Sequence, residues 1–80
     1  MKIYDFQGRK NISGARIRQA RLARSCSQAE LAARMQVRGV TIEREAISKI
    51  ETGDRFVTDY EHWTFSEVLG VSVLWLMEQE

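Results

Sequence analysis

Residues 43 to 51 read EREAISKIE, a run whose polar members are of types that can bind a polar partner. A guanidinium fork, carboxylates, a hydroxyl and an ammonium exchange hydrogen bonds with a partner that offers mixed donors and acceptors. On a helix, Ala46, Ile47 and Ile50 share one face, which leaves Arg44, Glu45, Ser48 and Lys49 elsewhere. Covalent chemistry lacks its parts. The sequence has no paired histidine and nucleophile, no phosphate-cradling glycine motif and no metal set. One cysteine, Cys26, and one histidine, His62, do not make a four-ligand zinc site, so no cofactor is expected. Cys26 reads as a buried, inert thiol, and His62 as a surface or half-buried side chain.

The elements that must position this polar set follow from composition and period. Eighty residues, 44% apolar and 29% charged, suffice for one small domain with one core. Proline is absent, and an all-helical arrangement with local contacts is the economical way to stabilise so short a chain. No apolar run approaches the roughly 20 residues of a membrane span, and the start MKIYDFQGRK lacks the apolar stretch of a signal peptide. With a single cysteine, a reducing, cytoplasmic setting is expected.

Residues 1 to 10 read as an amino-terminal arm, with Ile3, Tyr4 and Phe6 in a short extended or loose segment, and residues 11 to 80 as the domain. A first helix is predicted from Ile12 to Arg24, capped by Asn11 or Ser13. Ser27 with Glu30 forms the first capping box, opening a second helix through Met35. Gly39 and three β-branched residues break the helix over 36 to 42. A third helix begins near Glu43 and stops at Gly53. Thr58 with Glu61 opens a fourth that Gly70 closes, and Ser72 caps a short last helix through Met77. The reading is five short helices.

A net charge of +1 hides a sharp division: residues 1 to 38 hold nine Lys/Arg and two acids, residues 39 to 80 three Lys/Arg and nine acids. Such a dipolar chain can present a basic face to phosphates. Two helices joined by a turn, the second polar on its outer face, also let one helix lie across a DNA backbone while the next enters the major groove. Many small helical domains contain such a pair, so the geometry by itself is a weak signal.

More specific are several ordered blocks. Ser27-Gln28-x-x-Leu31-Ala32, then Ala46-Ile47-Ser48-Lys49-Ile50-Glu51-x-Gly53, then Leu69-Gly70-Val71-Ser72-Val73-x-Trp75-Leu76, with Arg16-Ile17-Arg18-x-x-Arg21 upstream, resemble the Cro-like phage repressor (XRE) family of helix-turn-helix regulators. The resemblance covers residues 11 to 77. It implies an all-α, lambda repressor-like five-helix domain that binds a double-stranded DNA operator in a sequence-specific way. By the same resemblance Gln28 meets a phosphate, or else serves as a plain capping-turn residue. Arg44, Glu45, Ser48 and Lys49 meet base edges or phosphates. Arg44 has the fork to read guanine and Glu45 the acceptor for cytosine N4. Glu43 stands at the start of the same helix, Arg38 and Thr41 on the preceding loop can touch the backbone, and Arg55 attracts phosphates. Arg21 and Glu51 match a salt bridge tying helix one to the end of helix three, and Ala32 matches a small residue that lets helices two and three approach.

Departures from the family pattern concentrate in the turn. Met35 to Ile47 spans twelve positions where the common pattern has seven, as in a branch with an enlarged turn. Glu43 replaces the usual hydroxyl cap of helix three, so Thr41 is expected to serve instead. Ser25 stands where glycine is common. Val73 to Met77 do not all fit one small core, and a homodimer through the last helix, on a palindromic operator, is one expectation; an all-core tail with one exposed leucine is the other. The functional expectation is a transcriptional regulator, a repressor by preference, without an enzymatic role or a small-molecule substrate. The competing expectation is a protein-interaction module of the same fold.

Overall fold

Five helices form where the local signals stand: α1 spans Gly14–Ala23, α2 Gln28–Val37, α3 Arg44–Glu51, α4 Asp59–Leu69 and α5 Val73–Leu76. They are seen in a computed structural model that describes residues 6–80. The expectations for Ile3 and Tyr4 lie outside the described residues. Within them, extended pairing is confined to an isolated antiparallel bridge between Phe6 and Arg9.

Three helices start on the side-chain caps read from the sequence. Ser27 accepts from Glu30 N at 3.0 Å while Ser27 N donates to Glu30 Oε1 at 2.9 Å. Thr58 and Glu61 repeat the exchange at 3.3 and 3.0 Å, and the Ser72 hydroxyl accepts from Trp75 N. Each such cap stabilises a helix start by about 1 kcal/mol. At α1 the cap is Asn11, whose Oδ1 accepts from Ser13 N at 3.1 Å and Gly14 N at 2.7 Å. Ser13 makes no capping bond, and α1 starts two residues later than its apolar pattern suggests.

The interval before α3 also differs from expectation. α2 continues to Val37 and closes in a Schellman turn, with Val40 N on Met35 O at 3.1 Å and Gly39 N on Gln36 O at 2.9 Å. This turn needs the left-handed φ of +90° that Gly39 supplies. Beyond it Val40 and Ile42 sink into the core, while Thr41 and Glu43 alternate outward. The N-cap of α3 is therefore Glu43, which makes no side-chain cap, and the expected capping by Thr41 does not occur because burial of its neighbours turns Thr41 to solvent.

The core joins all five helices. Ile17 of α1, Leu31 and Met35 of α2, Ile47 and Ile50 of α3, Phe65 of α4 and Leu76 of α5 are fully buried, and Cys26 is buried beside them. Ala32 packs on this cluster from α2. The last helix divides: Leu76 is buried, Leu74 stays exposed, and Trp75 lies under the Arg16 guanidinium at 4.5 Å.

Candidate functional site

The buried face of α3 is fixed by Ile47 and Ile50, which leaves Glu43, Arg44, Glu45 and Lys49 exposed and Ala46 and Ser48 half-buried. Arg44 Nη2 lies 3.2 Å from Glu45 Oε1, and both side chains remain more than half exposed. Such a surface pair costs little to break. Lys49 forms no ion pair among the described residues. Beside this face lies an open concavity of about 470 Å³ lined by Thr41, Ile42, Glu43, Glu45, Ala46, Lys49, Asp54 and Arg55. The structure thus gathers Thr41, Glu43, Glu45, Lys49 and Arg55 around one depression, with Arg44 and Ser48 on the same helix.

Two of the arginines singled out from the sequence are occupied. Arg55 forks onto Glu61, with Nη1 to Oε1 at 3.0 Å and Nη2 to Oε2 at 3.1 Å. Burial pushes the Glu61 carboxyl up, but the Arg55 fork and the Thr58 cap outweigh it, and the group ends below its ordinary value. Arg38 pairs with Glu67 of α4 at 3.0 Å across two half-exposed side chains and is not among the residues lining the concavity.

Gln28 stands at the first turn of α2 and donates from Nε2 to Glu51 Oε1 at 3.0 Å. That carboxylate is the centre of a buried network. Arg21 grips it with Nε to Oε2 at 2.7 Å and Nη2 to Oε1 at 3.0 Å, and Arg21 Nη1 donates to Cys26 O at 2.8 Å. The hydrogen bond to Glu51 outweighs burial and raises the Arg21 pKa. The pair expected between helices one and three is present, and it carries Gln28 with it. Removing either ion alone would leave a buried charge without its partner, at a cost of about 3–5 kcal/mol.

Sequence reasoning missed a histidine–serine contact. Ser13 Oγ lies 2.7 Å from His62 Nε2, joining the start of α1 to α4. Burial lowers the His62 pKa more than the Thr58 carbonyl, Glu61 and Asp59 raise it, so the neutral ring is favoured. Ser13 is fully buried, so the pair ties the start of α1 to α4 inside the fold. The two residues are 49 positions apart, and no local motif announces them. Asn11 is more than the cap its sequence position suggests: its Nδ2 also donates to Ile50 O at 3.0 Å and Arg55 O at 2.7 Å.

Among the described residues no group of His, Cys, Asp and Glu is placed to hold a metal ion, and no helix is long and apolar enough to cross a membrane. Comparison with known proteins gives one family: the model described as Helix-turn-helix matches residues 17–76. The match runs from the middle of α1 to the end of α5. No curated protein and no solved structure matches the chain.

Proposed function

Since the chain belongs to the helix-turn-helix family of DNA-binding regulators, we propose that α3 enters the major groove and reads an operator, and that the protein represses transcription by occupying it. The observation that carries this reading is the exposure of Arg44, Glu45 and Lys49 on a helix whose opposite face is locked in the core. Arg44 reads guanine with its fork, Glu45 accepts from cytosine N4, and Ser48 and Lys49 meet a base edge or a phosphate. Thr41 and Glu43 flank them, and Gln28 meets the backbone at the start of α2. Arg38 and Arg55 reach phosphates only by loosening Glu67 and Glu61, so their contribution is smaller than their charge suggests. Residues 11–80 act as the binding domain and residues 1–10 as an arm. Two copies meet through α5, where Leu74 is 55% exposed, and bind a palindrome.

A second reading has its own observation: Glu43, Glu45 and Asp54 crowd the concavity beside α3 and repel phosphates. The same face then binds a basic partner protein. Selection of bound duplexes from a random DNA pool separates the two. Enrichment of one motif in about 0.1 M salt, repeated with two-fold symmetry, and its loss by at least about a hundredfold in Arg44→Ala with Lys49→Ala, is the expected outcome. A pool that remains random after selection by the unmodified protein favours the protein partner.

A further inference from the structure

We propose that Asn11 is a positioning residue for the reading helix: its side-chain amide fixes the carboxyl-terminal end of α3 against α1 and so sets which base pairs the amino-terminal end of α3 meets. This rests on the DNA-binding reading above. Asn11 lies outside the segment that the family model matches, 17–76.

One amide does two tasks. Its Oδ1 accepts from the N–H groups of Ser13 and Gly14 at the start of α1, while its Nδ2 donates to the carbonyls of Ile50, in the last turn of α3, and of Arg55, in the loop beyond. Those four bonds fall between 2.7 and 3.1 Å. A second contact lies alongside: a Cβ on Gly14 would stand 2.1 Å from Ile50 O, so the start of α1 touches the end of α3 backbone to backbone. Lys10 N adds a bond to Gly53 O at 2.8 Å.

The lever is short but sufficient. At about 1.5 Å per residue Arg44 stands about 9 Å from Ile50 along α3, so a tilt of about 10° pivoting near Ile50 moves the Arg44 backbone by about 1.6 Å. Hydrogen bonds to base edges tolerate a few tenths of an ångström, and interface groups must be held to about 0.5 Å and 10–20°. The amino-terminal end of α3 has no side-chain cap to correct such a tilt. Its side-chain hold on the core is through Ile47 and, before it, Ile42 and Val40, apolar groups that pack without directional side-chain bonds.

Asn11→Ser tests the assignment without adding charge. Serine keeps an acceptor for the start of α1 but is too short to donate to Ile50 O and Arg55 O. Amide NMR spectra are recorded well below the melting temperature, with affinities for the duplex selected by the unmodified protein and for a random duplex. The expected result is displacement of the α3 amide signals with those of α4 and α5 unmoved, and a fall of about tenfold in the ratio of the two affinities, the equivalent of one mismatched base pair. Affinity for the random duplex stays the same, because no phosphate contact is lost. A cap that serves stability alone would lower the melting temperature and leave the ratio untouched, which overturns the proposal. Should Asn11→Ser fail to fold, Asn11→Asp keeps the acceptor, loses the same donor and is read by the same ratio, its added charge lowering both affinities alike. If the unmodified protein selects no sequence at all, the DNA-binding reading is what fails, whereas selection with an unchanged variant ratio sinks the role of Asn11 only.

Discussion

Ser25, in the link between α1 and α2, has a φ of +52°, a backbone region that costs a residue with a Cβ about 1–2 kcal/mol. Its side chain is exposed and makes no bond among the described residues, so nothing returned by the hydroxyl offsets that cost. The resemblance to the repressor family flagged this position as one where glycine is usual, and the dihedral gives the physical reason. Ser25→Gly is expected to raise stability by up to about 1 kcal/mol, the relief of strain exceeding the added freedom of the unfolded chain. In a chain of this size that is roughly 4–8 °C in a thermal melt. A melting temperature that falls would show that Ser25 is held by something other than its backbone.

At the scale of the elements, the joint between α1 and α3 governs how α3 is presented. Helix propensity alone predicts that Gly14→Ala should stabilise α1 by up to about 1 kcal/mol. The joint predicts the opposite. A Cβ at 2.1 Å from Ile50 O forces the backbone of one helix off the other, and such overpacking costs about 1–3 kcal/mol. Chemical denaturation of Gly14→Ala should therefore show a lower midpoint, and a raised midpoint would mean that the two helices do not meet as described. Contacts of this kind explain which parts of the molecule were legible in the sequence. The Ser27–Glu30 and Thr58–Glu61 boxes were readable because both partners lie within one helical turn. Asn11 to Ile50, Ser13 to His62 and Arg38 to Glu67 span 39, 49 and 29 residues, and only the folded chain brings them together. Arg21 and Glu51, 30 residues apart, were legible through the family resemblance and not through any period. The chemistry of Thr41 suits a cap, but the burial of Val40 and Ile42 on either side decides where it points.

Across the whole molecule, folding redistributes the charge that the sequence divides so sharply. Arg21 and Arg38 of the basic half are matched to Glu51 and Glu67 of the acidic half, and Arg55 to Glu61 within the acidic half, so the two segments are partly neutralised against one another inside one small domain. What remains around α3 is a mixed surface with Lys49 unpaired among the described residues, Arg44 loosely held and Glu43, Glu45 and Asp54 close by. On the proposed reading, a surface of that kind binds random DNA weakly and depends on matched base edges for its affinity, which favours discrimination over strength. On that reading this face, and no other, meets the duplex. Titration of the labelled protein with a selected duplex, followed through its backbone amide signals, locates the contact. The largest shifts are expected on residues 41 to 49 and on Gln28; shifts confined to α4 and α5 with α3 silent would place the duplex elsewhere and overturn the reading.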